Sequence, residues 1–565
     1  MTYRILGQSS FLLRHNFSIR PPCLCCRAMS FAYLRTSRLR MVRSWLRMFG
    51  WSSLAVGIGG SLVVLHRNNY DISSVGAMRL ARAGVTAVRI FVDYKITFAK
   101  HPNDNEESKD AVKNAHQRSA DKLLKLACAN GGCWIKVGQH IGALDYLLPV
   151  EYTRTLSILH RQAPQSSLEE IKNVFQQDIG RSVEEVFSEF DSNPVGTASL
   201  AQVYFAVRKD NDERVAVKIQ HPRVKPHSFV DIATMEFLTK VASKLFPEFK
   251  LLWLAEEMKR NLPVELDFVS EANNAERVRR MFSGLRFLKI PRIDWDLTTD
   301  RVLTMEYCDG GQANDLGYLT KHKIDPYEVC RMLGQLYSDM IYVQGYVHCD
   351  PHPGNVFVHK DVRSKETKLV LLDHGLYTTL SEDLRLNYAQ LWISILNRDV
   401  PGIKQYASAL GVGQYFPLFA CMLTARSWQA LQSGIDKTKI TSDEAKEVRD
   451  NVAAYLPQIS HVLNNVPRPV ILLFKTNDLL RSIEYCLGRL DDNAISLLYM
   501  MKGCARAVYN HHRVKRGAEV TSFKARISMR ISFWWILAKL ELYELWLSLC
   551  HLISPISNRF RLLGG

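Results

Sequence analysis

Residues 1–70 contain no aspartate, no glutamate and no lysine, yet hold ten arginines; Asp71 is the first acid of the chain. With Phe31, Tyr33, Leu34, Trp45 and Leu46 set among those arginines, the composition predicts a mitochondrial presequence over 1–47, the alternative being a disordered basic tail. A secretory signal is disfavoured because the apolar run starts too late. That run, Met48 to Leu65, lacks any charge for eighteen residues. As a helix it would span about 27 Å against a hydrocarbon core of about 30 Å. It predicts a membrane anchor over 48–70, or else an apolar continuation of the targeting region. Net charge is also missing from the middle of the chain, which is nearly neutral. The ends, 1–70 and 513–565, carry +16 of the formal +17, which argues against a nucleic-acid-binding body. The twelve cysteines lack metal-ligand spacing; Cys23, Cys25 and Cys26 fall in the expected presequence, and the rest read as buried thiols of a reduced or mildly oxidising compartment. No internal repeat is visible.

What is present falls into segments of different period. A second apolar stretch, 531–553, includes Lys539, Glu541 and Glu544, each costing about 2.5–3.5 kcal/mol at mid-bilayer. It predicts a helix packed on the domain or lying at a membrane interface, beside the basic segment 513–530. Residues 101–110 read as a polar linker. Residues 111–190 read as a helical extension, with Gly131-Gly132 as a break, Pro149 as a stop and a short helix pair over 167–190. From Pro194 the pattern alternates, giving a hairpin from Ala198–Val207 and Arg214–Ile219. Helices are expected at 228–246, 251–283 and 325–345, a strand at 301–307, a hairpin from 355–358 with 368–373, and helices throughout 381–512. The sum is an α+β fold: a mixed small lobe at 191–310, a helical large lobe at 311–512, and a basic, apolar tail at 513–565.

The chemistry-bearing motif is His348-Cys-Asp350-Pro-His-Pro-Gly-Asn355, followed eighteen residues later by Asp373-His374-Gly375. An Asp and an Asn five apart, then a second Asp after a hairpin, is the layout of a phosphoryl-transfer centre. One carboxylate orients the attacking hydroxyl, while the Asn and the later Asp hold metal on the nucleotide phosphates. Val215-Ala-Val-Lys218 sits on the second strand of the first hairpin, where such a centre keeps its phosphate-binding lysine. Glu271 is the candidate partner for Lys218, the alternative being a solvated glutamate on a helix face. A phosphate-covering G-x-G-x-x-G is absent; the loop reads Gly196-Thr197-Ala198-Ser199, which disfavours an ordinary protein kinase. Glu306 and Tyr307 close the strand before a hinge at Cys308–Gly311 and are candidates for cofactor binding. Lys136-Val-Gly138-Gln139 presents two polar residues on one helix face, and Glu265-x-Asp267 offers complementary carboxylates; taken alone, the lysine and glutamine would read as a solvated face.

Together these motifs resemble the UbiB/aarF-domain-containing family of atypical kinases, and Asp373-His-Gly-Leu-Tyr377 is similar to its kinase 1 subgroup. The resemblance implies an atypical protein-kinase-like bilobal fold with an N-terminal helical extension. It implies that Lys218 binds phosphates and pairs with Glu271, that Asp350 is the catalytic aspartate, and that Asn355 and Asp373 bind metal. Lys136 and Gln139 would reach over the site toward Glu265 and Asp267 as a gate that obstructs protein substrates. The implied cofactors are ATP and Mg2+ or another divalent metal. The implied setting is a mitochondrial, inner-membrane-associated kinase or ATPase in lipid or coenzyme Q homeostasis, with membrane lipids, a small lipophilic substrate or membrane proteins as partners. A nucleotide-regulated scaffold without phosphoryl transfer is the alternative. His374 in place of phenylalanine is a departure that bears on how Asp373 is held.

Overall fold

A computed structural model of the chain describes residues 76–101, 105–142, 148–160, 165–245, 252–361, 364–433, 458–459, 461–463, 465–487, 495–518, 527, 530–531, 533–546 and 549. The presequence and anchor expected over 1–70 lie outside these residues.

The chain first folds as helices: α1 (Gly76–Lys100), α2 (Glu106–Asn130), α3 (Cys133–Gly142) and α4 (Val150–Leu156), which tightens through Ser157–His160. Helix α1 occupies a region to which spacing alone assigned nothing. Helix α2 begins inside the expected linker: the Asn105 side chain accepts the Ser108 N–H, and Glu106 and Glu107 sit in the first turn, where the helix end favours negative charge. Helices α5 (Leu168–Ile179) and α6 (Val183–Val186) each open on a reciprocal Ser/Glu cap, from Ser167 with Glu170 and Ser182 with Glu185. The expected helix pair then gives way to a strand, β1 (Phe187–Phe190), because its phenylalanines pack against Phe175 and Tyr204.

Strands β2 (Gly196–Thr197), β3 (Ala201–Arg208) and β4 (Arg214–Gln220) join β1 and, after α7 (Val224–Leu245), α8 (Leu252–Glu265), α9 (Phe268–Met281) and β5 (Leu288–Lys289), also β6 (Ile293–Asp294) and β7 (Val302–Glu306). The sheet order is β1-β3-β4-β7-β6, with β2 on β3. Side chains alternate across a strand. On β4, Val215, Val217 and Ile219 join the α5-side core, while Lys218 and Gln220 turn toward α8 and α9. The single helix expected over 251–283 is two helices. Asp267 breaks it by accepting the N–H groups of Val269 and Ser270, so Glu265 ends one helix and Glu271 opens the next.

The large lobe contains β8 (Gly311–Gln312), α10 (Leu316–Lys321), α11 (Pro326–Ser338), β9 (Tyr346–His348), β10 (Val356–Lys360), β11 (Thr367–Leu371), β12 (Tyr377–Thr379), α12 (Glu382–Asn397), α13 (Val400–Ala409), α14 (Phe416–Thr424), α15 (Trp428–Ser433), α16 (Arg468–Cys486) and α17 (Ile495–Ala518). The hairpin β10–β11 registers Val356 with Leu371, and β9 pairs with β12. Its core gathers Tyr337, Tyr388 and Phe419. A separate cluster of Trp134, Ile135, Leu159 and Leu262 fixes the N-terminal helices to α8. Among the described residues, no helix is long and apolar enough to cross a membrane.

Candidate active site

The end of β4 and the start of α9 bring Lys218 to Glu271, with Nζ 2.7 and 2.9 Å from the two carboxylate oxygens. The same ammonium lies 3.2 Å from Asp373 Oδ2. Burial works against the charge on Lys218, but Asp373 and Glu271 outweigh it and raise its pKa. Burial also lifts Glu271 to about 7, against the pull of Lys218. Desolvation opposes ionisation of Asp373 too, yet Lys218, Lys136 and the Gly375 N–H, 2.9 Å from Oδ1, hold its carboxyl well below the usual range.

Two histidines lock the aspartate-bearing segments together. His348 Nε2 lies 2.9 Å from the Asp373 carbonyl and Nδ1 lies 2.9 Å from Tyr337 Oη. A carbonyl can only accept, so Nε2 carries the proton and Nδ1 accepts from the tyrosine. His374 repeats the arrangement, with Nε2 3.1 Å from the Leu371 carbonyl and Nδ1 2.8 Å from Tyr377 Oη. Burial lowers its pKa to about 3, so the ring stays neutral. His374 therefore fills an interior position as an aromatic ring while tying it down by hydrogen bonds, and Asp373 remains beside Lys218.

Asp350 follows β9. Its carbonyl accepts the Asn355 Nδ2–H at 3.1 Å, which leaves Asn355 Oδ1 to take a cation. Its carboxylate meets a group that no motif pointed to: Lys475 Nζ, from α16, at 2.8 Å. Burial opposes ionisation of Asp350, but Lys475 and then Lys136 outweigh it, and its pKa falls far below the ordinary value. The sequence signal was a lone lysine directly after Ile471-Leu-Leu-Phe474, on a helix whose neighbours Leu472, Leu473 and Phe474 are buried.

Of the gate residues, the structure brings Lys136 and Glu265 together at 2.7 Å. Gln139 donates instead to the Leu159 carbonyl at 3.0 Å, and Asp267 caps α9. Glu265 Oε1 is buried with no hydrogen-bond partner among the described residues. The loop Gly196–Ser199 is a tight turn: the Ala198 N–H bonds the Ala201 carbonyl at 2.8 Å, and Thr197 Oγ1 accepts from Gln165. Ser199 is buried. The N–H groups of Glu306 and Tyr307 are spent on the Arg292 and Arg214 carbonyls, and the Glu306 carboxylate pairs with Lys289. Neither N–H is left for an adenine.

No cluster of three or more His, Cys, Asp or Glu side chains arranged for a metal exists among the described residues. An Asp carboxylate and an Asn carbonyl nevertheless suit a hard divalent cation that takes its other oxygens from phosphates and water. The donor set fits a nucleotide-bound metal.

Residues 158–407 match the ABC1 atypical kinase-like domain. The chain is similar to the AarF domain-containing protein kinase 1 of Mus musculus, 47% identical over 506 residues, covering 89% of this chain and 95% of that protein. It belongs to the ABC1/AarF atypical kinase family. It is also similar to the ABC1 family protein MCP2 of Saccharomyces cerevisiae, 34% identical over 502 residues, covering 85% of this chain and 87% of that one. A Mycobacterium tuberculosis chain in a structure of an Rv3197–erythromycin complex is similar with a TM-score of 0.42 at 19% identity, covering 68% of this chain and 95% of its own. As expected of an ABC1 family member, the chain is a mixed α+β, kinase-like bilobal protein.

Proposed function

We propose that this chain is an ATP- and divalent-metal-dependent atypical kinase or ATPase at a mitochondrial membrane, with a role in lipid or coenzyme Q homeostasis and membrane organisation. The observation that carries the nucleotide half is Lys218 bridging Glu271 and Asp373, because that array is a phosphate-binding cation held beside a metal-binding carboxylate. Lys218 would take the α- and β-phosphates, with Glu271 fixing its direction. Asn355 and Asp373 would hold the metal, which supplies charge neutralisation for the phosphates and the leaving oxygen. Asp350 would orient the attacking hydroxyl or water, and Lys475 would keep its carboxylate ionised and aimed. The leader composition and the apolar run 48–65 support the membrane half. The purified full chain is expected to gain thermal stability with Mg2+ and ADP and to turn over ATP, and Asp373→Asn to lose both. A wild-type protein with no metal-dependent shift would overturn the nucleotide half.

The scaffold alternative draws on the Asp350–Lys475 contact, since a carboxylate already engaged by an ammonium is a poor proton acceptor. It predicts that Asp350→Ala restores a null cell fully while Lys218→Ala does not.

A further inference from the structure

The helical segment 533–546 has two apolar faces, and only one is covered. On the inner face Leu540 is buried, Ile536 and Tyr543 pack on the large-lobe core, and Phe533 stacks on Tyr509 with ring centroids 4.0 Å apart. Both acids of the segment turn to α17: Lys502 Nζ lies 2.8 Å from Glu541 Oε1 and also pairs with Glu544, which Tyr499 Oη bonds as well. On the outer face Trp534, Trp535, Leu542, Leu545, Trp546 and Leu549 remain 48–66% exposed. At 3.6 residues per turn these six fall within an arc of about 120°. Cations rim this stripe, and the one acid at its edge, the exposed Glu541, is paired with Lys502. Lys539 Nζ stands 5.3 Å over the Trp535 ring, and Arg530 is exposed.

We infer that this outer face is a docking surface for a lipid bilayer carrying anionic headgroups. Indoles prefer the boundary between headgroups and acyl chains, and an exposed stripe of Trp and Leu edged by cations is the pattern of a helix lying in that boundary. Charge decides between this occupant and a second copy of the chain. Two copies of this face would set Lys539 and Arg530 against themselves, whereas anionic lipid neutralises them. The charge positions also argue against a span: the segment carries Glu541 and Glu544, both tied to Lys502 of α17. The docking surface rests on the membrane half of the proposed function and is independent of its nucleotide half.

The test is flotation of the full-length chain with phosphatidylcholine vesicles, with and without 20% phosphatidylglycerol. The variants are Trp534→Ser/Trp535→Ser/Trp546→Ser and, as a milder change at a fully outward position, Leu542→Glu. Tm and the Mg2+–ADP shift report folding. The expected result is that wild type floats with the anionic vesicles and both variants partition about tenfold less or weaker while remaining folded, with quenching of tryptophan emission by brominated lipid falling in parallel. If wild type floats and folded Leu542→Glu floats equally, this surface is wrong while the membrane location stands. If wild type does not float at all, the membrane half of the proposed function falls with it. A dimer in solution that the variants dissolve would overturn the lipid assignment in favour of a second copy.

Discussion

Two lysine–glutamate pairs with buried carboxylates face the same site, and they are built differently. Lys218 reaches both oxygens of Glu271, at 2.7 and 2.9 Å, and Asp373 besides. Lys136 pairs with one oxygen of Glu265, and the other, Oε1, is buried without a partner among the described residues. The first pair is saturated and set on a strand and a helix start within one lobe. The second joins α3 to the last residue of α8, and it keeps an acceptor open. A buried acceptor left unmade costs about 1–3 kcal/mol, so any rearrangement that brings Oε1 a donor is favoured. The difference separates a pair that aims a fixed cation from a pair able to exchange partners. That is the distinction expected between a phosphate anchor and a gate.

The sharpest test replaces each glutamate by its amide. Glu271→Gln removes the charge that aims Lys218 and is expected to lower ATP turnover by a factor on the order of 10². Glu265→Gln keeps a shape that can still accept from Lys136, and a loss within about tenfold is expected. Equal losses in single-turnover assays would erase the contrast. A third lysine sharpens it further. Lys475→Met is expected to lower turnover by about ten- to a hundredfold while leaving the Mg2+–ADP thermal shift intact. The acid limb of its pH–rate profile should move upward, because Asp350 loses the main partner that holds its pKa down. An unmoved limb would reduce Lys475 to packing.

Much of this site was legible because each motif is local. Asp350, Asn355 and Asp373 announce themselves by spacing, and Lys218 by its place on a hairpin. The fold class followed from the change of period at Pro194. Two features were not legible, for physical reasons. Spacing could not show the break at Leu266–Asp267, because a helical period continues through it and only the capping of Val269 and Ser270 ends α8. The Asp350–Lys475 pair spans 125 residues and leaves no trace in local pattern at all.

The pair around Lys218 should also respond to pH within the physiological range. Burial lifts Glu271 from an ordinary 4.5 to about 7. The folded state therefore holds a proton on Glu271 between those values that the unfolded state has lost. Its contribution to stability is complete below about 4.5 and disappears as pH rises through about 7. Function runs the other way. Protonation weakens the hold on Lys218, so the thermal shift given by Mg2+–ADP should shrink several-fold from pH 8 to pH 6. Glu271→Gln should be flat over the same interval. A wild-type shift independent of pH would mean that Asp373 alone fixes the lysine.

The smallest effect probes how closely the gate helix must approach. A Cβ on Gly138 would lie 2.3 Å from Leu159 Cδ1, and Leu159 is buried beside Ile135 and Leu262. Gly138→Ala must therefore push α3 or Leu159 aside. Overpacking of this kind costs about 1–3 kcal/mol, which outweighs the better helix propensity of alanine. Urea melts should show that loss. Because α3 also carries Lys136, its displacement should loosen the Lys136–Glu265 contact and leave Lys218–Glu271 as it was. Turnover would then change by only a few-fold, with the Mg2+–ADP shift preserved. Should Gly138→Ala abolish nucleotide binding instead, the two pairs would be one mechanical unit, and the division into anchor and gate would not hold.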